Sequence, residues 1–344
     1  MSYQERNSKK RKTAHNGGGN APDTTSFKPS AQFSPSDGGR DWTLSIAVPT
    51  SILTSLVTAE QRMTQPGRLA RALAVFSVDE IVIFDDTPPE KRPRHPADPS
   101  SYTGDIDPAH FLAHVLSYLE APPFMRKTLF PLHPNLRIAG QLPSLDMPHH
   151  PHPKEWLRYG EGVTVAGKTS TGKGTLVDCG LENPVEIEEV IPPKTRITLR
   201  FPDDDSQYPE PVHPDTPRTE GGYYWGYQVR KCNSLSNVFT ESPYEGGYDV
   251  SIGTSERGTT IPTAFPPTKR VNFKHMLIVF GGPRGLEFAA MNDEELIKMD
   301  IQGSKTKELF DHWVNVLPNQ GSRTIRTDEA VFIALTALRS IWER

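Results

Sequence analysis

Residues 276–287 read Met-Leu-Ile-Val-Phe-Gly-Gly-Pro-Arg-Gly-Leu-Glu: five apolar residues in a row, then a glycine-rich polar stretch. An unbroken apolar run of that length suits a strand buried on both faces, as in a parallel sheet covered by helices, whereas a half-exposed strand would alternate. The pattern recurs on either side. Tyr248 to Ile252 leads into Gly253-Thr-Ser-Glu-Arg-Gly258, and Trp313 to Leu317 leads into Pro-Asn-Gln-Gly-Ser-Arg-Thr-Ile-Arg-Thr-Asp-Glu-Ala330. Beyond the last of these, Ala330 to Leu338 is apolar almost all round, as a helix enclosed by other elements should be. Thr327 is its expected N-cap, with Asp328 and Glu329 favourably placed in the first turn.

The amino-terminal half repeats the texture. Thr43 to Val48 and Ile81-Val82-Ile83-Phe84 read as strands, with helical stretches opening at Pro49-Thr50 and running from Thr64 to Phe76. Phe111, Leu112, Val115, Leu116 and Leu119 recur at helical spacing. Between the halves lie five β-like runs: Val163 to Val165, Thr175 to Val177, Glu186 to Ile191, Arg196 to Phe201 and Tyr223 to Val229. A five-strand all-β insert predicts a small OB-like barrel. Its aromatic run, Tyr223-Tyr224-Trp225-Gly226-Tyr227, would either offer stacking platforms to unpaired bases or fill the barrel interior. The expected division is a disordered basic tail over 1–40, one half of an α/β domain over 41–157, the insert over 158–240, and the second half with the binding loops over 241–344.

The 344 residues are lean in apolar side chains, at 35%, and the shortfall is concentrated in the first forty residues, too polar to offset the entropy of ordering. Lys9, Lys10, Arg11 and Lys12 form a basic run that reads either as a nuclear address or as a solvated tail. The tail lacks the apolar core of a secretory signal, and nowhere do eighteen apolar residues run together, so neither secretion nor a membrane partner is expected. The net charge of −4 is no bar to RNA, because acids and arginines occupy different stretches.

Two motifs are decoys. The run Gly167-Lys-Thr-Ser-Thr-Gly172-Lys173-Gly174 mimics a phosphate loop but has Gly174 where a magnesium-binding hydroxyl belongs, and its flanks are hairpin-like. His149, His150 and His152 stand among prolines that deny them one helix face, and Cys179 and Cys232 are too few for a zinc site, so no metal is expected. The three glycine loops carry more. Each follows the carboxyl end of an expected parallel strand, where open α/β sheets place ligands. One such loop is most simply a tight turn; three together point to a shared pocket.

In order along the chain, GRLARALAVF, LFPLHPNL, LPSLDMPHH, YDVSIGTSERG, GGPRGLE and LPNQGSRTIRTDEA resemble the knotted SPOUT-class RNA methyltransferases. The likeness is to the centromere-associated branch with an inserted OB-like barrel, and it leaves the chain before about Arg40 uncovered. The resemblance implies a SPOUT fold with a carboxy-terminal deep trefoil knot, a homodimer, and S-adenosyl-L-methionine as cofactor. Carried over by position, the pocket takes Thr254, Glu256, Arg257 and Gly258 from the first loop. The second loop gives Gly281, Gly282, Gly285 and Glu287, and the third Leu317, Gln320, Gly321, Ser322, Thr324 and Ile325.

The implied activity is methylation of ribosomal RNA, with uridine N3 favoured over the ribose 2′-hydroxyl, in the nucleus or nucleolus with the cytoplasm left open. Two departures bear on the target atom. Arg284 stands where the uridine-modifying pattern has glutamate, and the amino-terminal half lacks that group's usual RNA-binding barrel, having the insert instead; conversely, PGRLARALAVF resembles a motif of ribose-methylating enzymes. Arg71, Arg68 and Arg326 are the catalytic candidates, expected to grip phosphate or steady a developing oxyanion because a guanidinium is a poor base. Arg323 and Arg326 are equally well explained by ion pairs with Asp328 or Glu329. Glu256 and Glu287 stand as proton acceptors or cofactor anchors, with neither singled out. The alternative from another class is an RNA-binding scaffold that holds the cofactor with little catalysis.

Overall fold

A computed structural model describes residues 38–93, 97–150, 156–170, 172–203, 208–268 and 270–342. The basic run at 9–12 and His152 lie outside them. Arg40, counted with the tail in the sequence reading, is instead buried, its guanidinium forked onto the Asp79 carboxylate.

The chain opens with β1 (Thr43–Pro49), a 3₁₀ turn at Thr50–Leu53, α1 (Ala59–Val75), β2 (Glu80–Phe84), α2 (Pro108–Glu120) and α3 (Pro123–Leu129). Local chemistry sets these starts. Thr58 and Gln61 form a reciprocal capping box on α1, and Asp107 accepts from the His110 amide at 2.9 Å with Pro108 in the first turn of α2. Then come β3 (Tyr159–Val165), β4 (Thr175–Asp178), β5 (Val185–Ile187), β6 (Arg196–Arg200) and β7 (Glu210–Val212). The last third holds α4 (Thr216–Thr219), β8 (Gln228–Cys232), α5 (Leu235–Thr240), β9 (Val250–Thr260), α6 (Ile261–Ala264) and β10 (His275–Val279). It ends with α7 (Gly285–Met291), α8 (Glu294–Lys298), β11 (His312–Asn315) and α9 (Thr327–Leu338).

Six strands form one sheet in the order β11-β9-β10-β1-β2-β8, every neighbouring pair parallel. The continuous apolar runs are explained by burial on both faces. Ile46, Ile81, Ile83 and Ile278 pack with α1, α2 and α9, while Ala47, Val82, Phe84, Leu277 and Val279 pack with Leu235 and Val238 of α5 and Leu286, Ala289 and Ala290 of α7. Three layers result, with all six carboxyl ends on one edge.

The insert is an antiparallel half-barrel of order β5-β4-β3-β6-β7, whose end strands β5 and β7 are not paired to one another among the described residues. Two expectations need correcting. Glu210–Val212 supplies the fifth strand, and the run Tyr223 to Val229 belongs to the main sheet, feeding β8, which pairs with β2. Its aromatics divide between the two units: Tyr223 and Trp225 pack edge-on against Tyr159 of β3, whereas Tyr224 and Tyr227 turn into the main core. The Tyr224 hydroxyl donates to the Val78 carbonyl at 3.0 Å and that of Tyr227 to Leu116 at 2.9 Å, both inside the main core. Trp225 reaches the other way and donates its indole N–H to Glu161 of β3 at 2.7 Å.

That contact belongs to a buried charged junction between the two units. Arg196 of β6 bridges Glu120 at the end of α2 (2.5 Å) and Glu161 (2.6 Å), and Glu161 also accepts from Thr198 at 2.6 Å. His149 meets Glu120 at 2.9 Å, and His150 contacts the Glu120 carbonyl at 2.7 Å. Burial alone would raise the Glu120 carboxyl, but the Arg196 charge and His149 override it and hold it well below the usual range. His149 and His150 are both hydrogen-bonding partners of the Glu120 carbonyl. Both cysteines are buried free thiols, pushed up by burial to about 12.

Glu161→Ala strands two buried donors, Thr198 and Trp225, and the half-buried Arg196, so it should cost about 3–5 kcal/mol in urea unfolding, and a loss under about 1 kcal/mol would contradict the junction's role. Because the folded Glu120 carboxyl is lowered, its contribution is present above the ordinary glutamate range. It should disappear as pH falls below about 4, and Glu120→Gln should flatten that acid slope in pH-dependent unfolding.

Candidate functional site

The three glycine loops all leave the carboxyl edge of the sheet. The first is not a separate loop but a bulge within β9. Gly253 pairs with Trp313 and Thr259 with the next residue, Val314, so Thr254–Gly258 are pushed out of the ladder. At Gly258 a Cβ would stand 2.4 Å from the Val314 carbonyl carbon, which is why the bulge can return to the sheet only through glycine.

Side chains tie the loops together. Asn315, at the end of β11, donates from Nδ2 to the Glu256 carbonyl at 2.8 Å and accepts from the Leu317 amide at 3.0 Å, joining the first loop to the third. Thr254 donates to the Val279 carbonyl at 3.0 Å, and Arg257 lies 3.6 Å from Glu287, joining the first to the second. The Thr327 hydroxyl donates to the Gly281 carbonyl at 3.1 Å, joining the second to the third. The third loop is braced internally by Gln320 donating to the Ser322 carbonyl at 3.0 Å and Ser322 to that of Thr324 at 2.8 Å. Ile325 is half-buried beneath it.

The glycines divide by what they serve. A Cβ at Gly281 would meet Gly285 at 2.8 Å, one at Gly282 would meet the Ser51 hydroxyl at 2.0 Å, and Gly285 has φ +79°. Those three are demanded by the protein's own packing. Gly321 is different, for nothing lies within 4 Å of its Cβ position and its φ is not in the left-handed region. The fold makes no demand for glycine there, and the space it leaves open is what close approach of a ligand to the backbone requires. Beside the second loop lies a cavity of about 570 Å³ bounded in part by Arg284, Glu287, Phe288 and Lys305, with the Arg284 guanidinium 3.8 Å above the Phe288 ring.

The arginines are placed less simply. Thr327 is the first residue of α9 and not its cap; the cap is Arg326, whose backbone N–H donates to the Glu329 carboxylate at 2.9 Å. Asp328 does not pair with Arg323 or Arg326 either. It is buried and receives Arg68 and Gln65 from α1, each at 3.2 Å, so Arg68 anchors the start of α9 directly behind the third loop. Arg71 donates to the carbonyls of Ser144 (3.1 Å) and Leu145 (2.9 Å), and with Arg68 and Phe332 it lines a cavity of about 330 Å³. Arg323 and Arg326 are exposed.

Residues that sequence reasoning passed over complete the edge. Asp86, two positions past β2, is buried and receives the Ser51 amide at 3.0 Å, the Ser51 hydroxyl at 2.5 Å and the Thr50 hydroxyl at 3.2 Å. The available signal was positional: Asp85-Asp86 follows a buried parallel strand at the carboxyl edge. Asn315 had a similar signal, as the polar residue ending β11.

Asn315→Ala should release the first loop from the third. Loss of two solvent-exposed hydrogen bonds predicts about 0.5–1.5 kcal/mol of destabilisation and faster amide exchange at Leu317; unchanged exchange there would argue that the loops are held by other means.

The comparisons with known proteins fall on this frame. The model of the family described as "Putative RNA methyltransferase" matches residues 43–338. A Drosophila melanogaster protein named 28S rRNA (uridine-N(3))-methyltransferase is 47% identical over 307 residues, covering 86% of this chain and 62% of its own length. A Homo sapiens protein of the same name is 42% identical over 311 residues, covering 88% of this chain and 79% of its own. Among solved structures, the SpoU methyltransferase AviRb from Streptomyces viridochromogenes, in complex with AdoMet, overlaps at TM-score 0.30 with 12% identity, over 89% of this chain and 60% of that one. That overlap is too loose to bear on fold or ligand. The matched span takes in both the six-stranded sheet and the half-barrel, and the chain belongs to this family of RNA methyltransferases.

Proposed function

We propose that the chain is an S-adenosyl-L-methionine-dependent methyltransferase acting on uridine N3 of large-subunit ribosomal RNA. The observation that carries the cofactor reading is that the three loops at the carboxyl edge are each fastened to the other two by a side chain, while the backbone at Gly321 is left open. The RNA and the target atom rest on the activity named for the fly and human relatives. Main-chain donors of the second and third loops, with Glu287 and Gln320, are the groups we assign to holding the cofactor. When bound, it supplies a methyl group already activated on a sulfonium, so the protein's work is alignment, exclusion of water and removal of one proton.

The roles of the chain's own residues follow from their fastenings. Arg68 holds α9, and through it the third loop, in position by way of Asp328. Arg323 and Arg326 are exposed beside that loop and are the better placed arginines for gripping phosphate. We further propose a homodimer joined across α1 and α9, where the cavity bounded by Met63, Leu142 and Phe332 would be covered, and a threaded carboxy-terminal segment forming the trefoil knot. Support for the threading is that β11 lies beyond β9 while α9 returns to touch the β10 loop at Gly281. A nuclear or nucleolar place of action is the corresponding proposal for a ribosomal RNA substrate.

Incubation with methyl-labelled cofactor and 28S rRNA should yield 3-methyluridine. Label on a ribose hydroxyl would overturn the N3 assignment, and RNA binding without transfer would favour a scaffold. Gly282→Arg drives a long side chain into the Ser51 contact, and calorimetry should find S-adenosylhomocysteine affinity down at least about tenfold, which is about 1.4 kcal/mol. Unchanged affinity in that variant would remove the second loop from the site.

A further inference from the structure

N-methylation of uridine leaves a proton to be placed, and neither Glu256 nor Glu287 is well made for it. Glu287 is engaged with Arg257 at 3.6 Å, and the main chain of Glu256 is fixed by Asn315 while its side chain is exposed. A different carboxylate occupies the same edge. Resting on the reading above, we propose that Asp86, acting through the hydroxyl of Ser51, accepts the proton given up by the uridine N3–H.

Three geometric facts support this. Asp86 is 2% exposed, yet its oxygens are aimed at the turn after β1, where they receive the Ser51 amide and both the Ser51 and Thr50 hydroxyls. Ser51 is only half-buried, so its hydroxyl joins a buried carboxylate to the surface of the edge. That hydroxyl abuts the second loop, with the Cβ position of Gly282 2.0 Å away, which sets it directly beside the cofactor-holding backbone. Asn292 fixes the Asp86 main chain to α7, donating to the Asp86 carbonyl at 3.2 Å and to that of Phe288 at 3.0 Å.

Burial raises the Asp86 carboxyl above its ordinary value despite the opposing hydrogen bonds from Ser51 and Thr50, which makes it a better base than an exposed aspartate. Around it, Thr50, Ser51 and Asn292 are neutral. The neighbouring charge is Asp85, which accepts from Thr50 at 3.1 Å and faces Arg92 at 3.5 Å. The balance closes without another reagent. As the N3–C bond forms and the carbon–sulfur bond breaks, the electron pair stays on sulfur and the sulfonium charge is lost. The N3 proton passes to Ser51 Oγ while the Ser51 proton passes to Asp86, leaving a neutral acid that returns its proton to water.

The test compares the full chain with Asp86→Asn, Asp86→Glu and Ser51→Ala, measuring single-turnover methyl transfer to 28S rRNA against pH and, separately, S-adenosylhomocysteine affinity by calorimetry. In the unaltered chain the rate should rise with pH along an acid limb. Asp86→Asn should lose about a hundredfold or more in rate and lose that limb, Ser51→Ala should lose at least about tenfold, and Asp86→Glu should restore a limb at a shifted pH, all with ligand affinity within about twofold. An acid limb that survives in Asp86→Asn, or a rate that falls only in step with ligand affinity, would make the pair a structural prop and overturn the proposal alone. No transfer by the unaltered chain would instead overturn the proposed function, and this proposal with it.

Discussion

Strand parallelism is the constraint on which the rest depends. Six strands pointing the same way deliver six carboxyl ends to one edge, so every functional candidate that follows a strand is forced into one neighbourhood regardless of its distance in sequence. Order refines the placement. With β9 between β11 and β10, the bulge at Thr254–Gly258 sits between the other two loops and can touch both, which Asn315 and the Arg257–Glu287 pair exploit. With β1 next to β10, the turn carrying Ser51 comes against Gly282, and β2 brings Asp86 behind it.

Much of this was legible because burial on both faces leaves a coarse mark. Apolar runs such as Met276 to Phe280 and Ile81 to Phe84 need no subtle reading, since a strand covered by helices on either side has no polar face to show. What could not be read was pairing across distance. The stretch Tyr223 to Val229 has strand composition in either sheet, and only the tertiary contacts of Tyr224 and Tyr227 decide for the main one. The same holds for Asp328, whose partner Arg68 is 260 residues away and therefore lost to any argument from helical neighbours. The site was legible as three loops and illegible as individual chemistry, because Asp86 announces itself only once its burial and its serine are known.

The half-barrel shows a second use of buried charge. Glu120 and Glu161 carry formal charges into a buried junction where the partly exposed Arg196 answers both, so removing Arg196 leaves two carboxylates without their counter-charge. Packed apolar surface could join two units as firmly, but a set of directional hydrogen bonds also fixes their relative angle. Trp225 and Gly226 take part in that fixing. The indole reaches into the junction, and a Cβ at Gly226 would stand 2.4 Å from the Glu120 carboxylate, so no other residue leaves room for it. The insert is therefore held against the six-stranded unit at one orientation.

We propose that the three carboxyl-edge loops enclose one cofactor. A crystal structure of the full chain grown with S-adenosylhomocysteine tests it most directly. The ligand should lie across the backbone of Gly281, Gly282 and Gly321, with the Thr254–Gly258 bulge against it. A ligand lodged in the half-barrel, or these three loops standing apart around an empty edge, would contradict it.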